Sequence, residues 1–185
     1  MKKFLTIMCC IFMIGITIPL VGCTTKEEPK TFTINFIVED EIWKTLTSDK
    51  MDELSTPTKQ YCDFAYWEFD KTSVEDNSCD VYAKFKLNSR YKCTKVLSQS
   101  MAPTFSMGDY IIIDTAATEY NVNDIVAYLP TNSSFYIAHR IIEINGTEYT
   151  IKADASSLPE TISIEQIVGI VCENIGPTLP NDVIG

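Results

Sequence analysis

Beyond residue 30 short apolar runs, rich in β-branched and aromatic residues, alternate with polar breaks. Phe32-Thr33-Ile34-Asn35-Phe36-Ile37-Val38, Phe64-Ala65-Tyr66-Trp67 and Val81-Tyr82-Ala83-Lys84-Phe85 form a first group. Tyr110-Ile111-Ile112-Ile113, Ile125-Val126-Ala127-Tyr128, Phe135 to Ile144, Tyr149-Thr150-Ile151 and Ile167 to Val171 form a second. A period of two sends successive side chains to opposite faces, the geometry of a strand with one buried side. Turn signals separate the runs, and Asn145-Gly146 between apolar residues is a strong hairpin signal. The fold class expected is therefore mainly β. Only Glu41 to Leu54 reads as a short helix or helical turn.

With 185 residues and 45% apolar content the chain has room for one ordinary domain or two small ones. The basic, polar stretch Asn88 to Lys95 reads as the boundary between a unit over 31–87 and a second over 96–175, with 176–185 as a tail. Net charge is −10, and loss of Lys2 and Lys3 with a cleaved leader takes it to −12. Such a chain repels phosphate backbones, so nucleic acid is not expected as a partner. From Val96 onward eleven acidic residues face only Arg140 and Lys152, a balance that favours cationic peptides or simply keeps an extracellular domain soluble.

The N-terminus reads Met-Lys-Lys, an apolar run from Phe4 to Val21, then Gly22 and Cys23, which has the form of an export leader. Leu20-Val21-Gly22-Cys23 resembles the lipobox of bacterial lipoproteins, which implies lipid attachment at Cys23 and cleavage just before it. Thr24 to Lys30 would then be a polar tether, and two acyl chains would anchor the protein stably. An uncleaved helix is the alternative, since the run approaches the ~20 residues that cross a bilayer. Both readings put the rest of the chain at the extracytoplasmic face of a bacterial cell membrane.

Export permits disulfides. Cys62, Cys79, Cys93 and Cys172 allow three pairings, with Cys62–Cys79 the first to consider because both lie in one small unit. Buried free thiols are the alternative. No metal spacing appears among them.

The first unit opens with a strand, continues through Pro57-Thr58-Lys59 and an aromatic strand with Phe64 and Trp67, and closes on Val81-Tyr82-Ala83-Lys84-Phe85. This order resembles the Listeria–Bacteroides repeat of internalin-type surface proteins, with Tyr66-Trp67 where Gly-Trp is usual. The resemblance implies a small β-grasp module used as spacer or adhesive unit. Trp67 reads as core.

The second unit holds the sequence's one histidine, His139, in Ala138-His139-Arg140-Ile141-Ile142-Glu143. Upstream stands Ser98-Gln99-Ser100-Met101-Ala102-Pro103-Thr104, followed by Gly108-Asp109 and an apolar strand. The string resembles the nucleophile box of type I signal peptidases, Ser-x-Ser-Met-x-Pro-Thr-x-x-x-Gly-Asp, at every fixed position. His139-Arg140 resembles the base box in its His-Arg form, that of the endoplasmic-reticulum and archaeal branch. Lys152-Ala153-Asp154, with an acid at Glu160, is similar to the family's Lys-Gly-Asp box, and Glu165 to Val171 to its closing strand.

Those residue types suit acyl transfer. A serine hydroxyl attacks only when a neighbouring base takes its proton, and imidazole, with a free pKa of ~6.5, is unprotonated at neutral pH without tuning. A lysine would need strong depression, which makes His139 the better base than Lys152. An acid on the other ring nitrogen fixes the tautomer and stabilises the imidazolium. Asp154 is the first candidate for that role and Glu160 the second. The backbone N–H of Ser100 and, by the resemblance, the hydroxyl of Ser98 would meet the oxyanion.

The expected protein is a lipid-anchored serine endopeptidase, and by the resemblance it would cleave exported preproteins after small residues, without metal or organic cofactor. The rival reading is a non-catalytic surface lipoprotein whose repeat binds a partner and whose peptidase fold is a scaffold. A self-cleaving repressor of the related fold fits neither the leader nor the acidic charge.

Overall fold

The computed structural model describes residues 31–184; the leader, Cys23 and the tether lie outside the described residues. The chain is mainly β, in two sheets, and divides into two compact units, residues 31–86 with 182–184 and residues 87–181.

The first unit is a five-stranded sheet. Strand β1 (Thr33–Val38) pairs antiparallel with β2 (Glu41–Thr47) and parallel with β4 (Ser78–Leu87), while β3 (Cys62–Phe69) pairs with β4. Of the short helix or helical turn expected over Glu41 to Leu54, only a single 3-10 turn at Met51–Glu53 forms, and Glu41–Thr47 is a strand. Glu39 and Asp40 both take positive φ and reverse the chain between β1 and β2. Once the chain is reversed, Ile42, Trp43, Thr45 and Thr47 suit a pleated surface better than a helix. Ile34, Phe36, Leu46, Leu54, Cys79 and Val81 form the core, with Trp67 packed against it. The Trp67 ring lies 4.9 Å from Phe36 and 5.3 Å from Phe64.

Two chain segments read as connection and tail are instead structured. Val183–Ile184 forms β12, which adds in parallel to Phe85 and Lys86 of β4, and Lys59 ion-pairs with both Glu39 and Asp182. Tyr91–Lys95, placed in the boundary by its polarity, is strand β5 of the second unit. It is an edge strand, where lysines discourage further pairing.

The second unit is a seven-stranded sheet ordered β10-β9-β8-β7-β11-β6-β5. Its other strands are β6 (Tyr110–Asp114), β7 (Ile125–Tyr128), β8 (Ile137–Asn145), β9 (Glu148–Lys152), β10 (Pro159–Ser163) and β11 (Ile167–Gly176). The β8–β9 hairpin turns at Gly146, whose φ of +64° suits glycine. Directly opposed residues share a face. Val126, Tyr128, Ile141, Tyr149, Ile151 and Ile162 form a core on one face, and Met101, Phe105, Ile111, Ile113 and Ala127 a second core on the other. At Gly169 of β11 an added Cβ would lie 2.2 Å from the carbonyl oxygen of Asp114, so only glycine lets β11 approach β6 this closely.

Cys79, Cys93 and Cys172 are free thiols, so the Cys62–Cys79 disulfide does not form. Cys79 is buried in the first core, where burial raises its thiol pKa.

Candidate active site

Ser100 stands half-buried in the loop between β5 and β6, with a buried anchor just after it. Met101 and Phe105 are 2% and 4% exposed, and Phe105 N–H donates to the Met101 carbonyl at 3.1 Å, closing one tight turn around the cis Ala102–Pro103 bond. At the far end Gly108 N–H donates to Val96 O and Val96 N–H to Asp109 O, so the loop closes on its own stem. The Asp109 carboxylate accepts from Ser106 N–H and from Asn174 Nδ2, and these bonds hold its pKa below the ordinary carboxylate value. The motif's apolar residues are therefore the loop's keel, and its glycine and aspartate are the closing clasp.

Ser100 Oγ lies 3.1 Å from Ser98 Oγ, and Ser98 Oγ also faces Ser100 N–H at 3.5 Å. The Ser100 carbonyl accepts the N–H of Ala155 at 2.9 Å, and Met101 Sδ accepts that of Asp154 at 3.5 Å. The nucleophile loop is thereby tied to the segment leaving β9, whose neighbours on either side are β8 and β10. Among the described residues no hydrogen bond joins Ser100 Oγ to His139. The structure brings Glu160, not Ser100, into contact with His139.

His139 lies on β8 opposite Val126 and shares the face of Tyr128 and Ile141. Its side chain is 13% exposed, and Nδ1 lies 2.8 Å from Glu160 Oε1. Glu160 enters from β10, where it opposes Ile151, which in turn opposes Ile141. With Nδ1–H donated to the carboxylate, Nε2 keeps its lone pair for a proton. The acid on the histidine is therefore Glu160 and not Asp154.

Asp154 is committed elsewhere. Arg140, one residue past His139 and so on the opposite face, donates from Nε at 2.9 Å and Nη2 at 2.7 Å to its two oxygens. This two-bond fork holds the Asp154 carboxyl well below its usual pKa, and Thr104 Oγ1 donates to the same carboxylate. Arg140 also donates to Asn123 O at 2.9 Å. Thr104, Arg140 and Asp154 thus bolt the nucleophile loop to β8 and the end of β9. Ala153, where glycine is usual in the resembling box, is 7% exposed and carries no positive φ, so alanine fits without strain.

A further residue at the site was read in the sequence only as part of a strand. Tyr128 is 1% exposed, yet its hydroxyl donates to Glu160 Oε1 at 2.5 Å and lies 3.4 Å from His139 Nδ1. Burial, then the bond to Glu160, raises its pKa beyond the ordinary phenol range. The one signal available in the sequence was a hydroxyl-bearing aromatic ending the run Ile125-Val126-Ala127-Tyr128, where a wholly apolar residue would pack as well.

No curated protein matches the chain. A family model described as Peptidase S24-like matches residues 63–172, more than half of the sequence, beginning in β3 and taking in every residue from Ser98 to Glu160. With a serine-peptidase-type fold of that span, the chain belongs to the Peptidase S24-like family.

Proposed function

We propose that the protein is a serine endopeptidase of the signal-peptidase type, held at the extracytoplasmic membrane face by lipid on Cys23, with Ser100 as nucleophile, His139 as base and Glu160 as the supporting acid. The observation that carries the reading is the 2.8 Å contact of His139 Nδ1 with Glu160 in a Peptidase S24-like chain that has no other histidine. An imidazole oriented by a carboxylate is what proton transfer from a serine requires.

In this reaction Ser100 Oγ bonds to the scissile carbonyl carbon while its proton passes to His139 Nε2. The developing oxyanion is met by Ser100 N–H and the Ser98 hydroxyl. The imidazolium, stabilised by Glu160, returns the proton to the leaving amine as the C–N bond breaks. Water, deprotonated by the same ring, then hydrolyses the acyl-enzyme and restores Ser100. The substrates are exported preproteins cut after small residues, and the first unit serves as a spacer or adhesive module of the Listeria–Bacteroides type.

The test is incubation of the detergent-solubilised full chain with a panel of signal-peptide-bearing substrates, with the cut site read by N-terminal sequencing. Cleavage after small residues, lost in Ser100→Ala, is expected. A folded protein that cleaves no member of the panel would favour the scaffold reading, in which the peptidase fold serves binding alone.

A further inference from the structure

We propose that Tyr128 is a positioning residue of this site, its hydroxyl holding Glu160 against His139 Nδ1. The proposal rests on the reading of Ser100, His139 and Glu160 as one catalytic unit.

Glu160 cannot be held by its own strand. Its side chain is 48% exposed and reaches His139 across β9 with three rotatable bonds, so solvent-facing rotamers compete with the bonded one. Its hydrogen-bond partners among the described residues are His139 and Tyr128, and both converge on Oε1. Tyr128 is fixed where Glu160 is not. Its ring is packed with Val126, Ile141 and Ile151, all fully buried, and it opposes Ile137 across the β7–β8 pair. A rigid phenol that donates to a carboxylate is a strong, directional clamp, because charge-assisted O–H bonds are short and roughly twice as strong as neutral ones.

The placement has a cost that packing does not explain. A hydroxyl in an apolar core loses its hydration and must be paid back by a partner. Phenylalanine would fill the same space with no such requirement. Among the described residues the hydroxyl's partners are Glu160 Oε1, to which it donates at 2.5 Å, and the base itself, with His139 Nδ1 at 3.4 Å. The phenol has one hydrogen, which goes to the carboxylate; Nδ1 keeps its own and donates it to the same oxygen. Removing the hydroxyl therefore leaves the imidazole in place but frees its acid. Tyr128 and Glu160 are the titratable side chains that contact the ring, from β7 and β10; Arg140 and Asp154 pair on the opposite face.

The experiment compares the full chain in detergent with Tyr128→Phe, Glu160→Gln and the double variant, using a cleaved signal-peptide substrate and proton NMR of the single histidine. Tyr128→Phe should keep KM within about twofold and lower kcat by about tenfold or more, the scale of one hydrogen bond to a charged group. The acid limb of kcat/KM should move to lower pH, since a wandering carboxylate stabilises the imidazolium less. The low-field Nδ1–H resonance should broaden away, and the double variant should be no slower than Glu160→Gln. An unshifted acid limb with the resonance retained would overturn the proposal, as would full additivity with Glu160→Gln. In the unsubstituted protein a cross-peak should link Nδ1–H to the Tyr128 hydroxyl proton, and its absence overturns the proposal even if Tyr128→Phe unfolds. Undiminished cleavage by Ser100→Ala would instead defeat the catalytic reading, while the resonance still decides the role of Tyr128.

Discussion

His139 and Glu160 touch at 2.8 Å although their strands are not neighbours: β9 lies between β8 and β10. Two strand spacings amount to roughly 9–10 Å, which a histidine and a glutamate span together. The intervening position on that face is Ile151, fully buried, so the two polar groups meet over an apolar floor. The arrangement shields the bond from below and leaves solvent on one side of the carboxylate.

The length of the acid is therefore critical. Glu160→Asp, shorter by one methylene, should lose the bond and reduce kcat nearly as much as Glu160→Gln, on the order of a hundredfold or more. Steady-state rates of the two variants check this; an aspartate variant with wild-type kcat would contradict the geometry.

Asp154 is expected to act on stability and loop position. Its pKa is depressed by Arg140 and Thr104, so it binds protons less readily folded than unfolded. The stabilisation from that charge is present above the unfolded carboxyl value of ~3.9 and is lost as pH falls through the lower folded value. Asp154→Asn should therefore melt below the wild type at neutral pH, with the gap closing as the pH is brought below about 4. Melting curves over that range measure it. The variant's activity should fall without a shift in the acid limb of its pH profile, because Asp154 does not touch the imidazole.

The strands rich in β-branched and aromatic residues, such as Thr33–Val38, Ile125–Tyr128 and Glu148–Lys152, were legible from the residues alone. Tyr91–Lys95 and Pro159–Ser163 were not, because edge strands carry polar and charged residues that mimic connections. Glu41–Thr47 was misread because its acid and lysine content resembles a helix, while the turn that makes it a strand depends on positive φ at Glu39 and Asp40. At the site, the residue types and their order were readable, but the partner of each acid was not. Asp154 and Glu160 are both carboxylates downstream of His139, and only register decides which reaches the ring: Glu160 shares the face of His139, and Arg140 claims Asp154.

Gly169 offers a test of the sheet that carries the site. Gly169→Ala drives a methyl into the backbone of Asp114 at 2.2 Å, and a carbonyl in a paired strand cannot yield as a side chain would. The variant should lose about 1–3 kcal/mol or fail to fold. Thermal denaturation against wild type measures the loss, and an unchanged melting temperature would contradict the close approach of β11 and β6.

Membrane attachment is expected to depend on one thiol. Cys23→Ala should abolish incorporation of labelled fatty acid and leave the protein unprocessed or released, as the proposed lipid anchor at Leu20-Val21-Gly22-Cys23 requires. Unchanged labelling in that variant would transfer the anchor to the apolar run itself.

The most direct measurement is kcat/KM for the wild type, Ser100→Ala, His139→Ala and the double variant on one cleaved substrate. Members of a catalytic unit are strongly non-additive. Each single variant should lose several orders of magnitude, and the double variant should be little slower than either. Near-normal cleavage by His139→Ala would contradict the assignment and turn attention to Lys152 as the base.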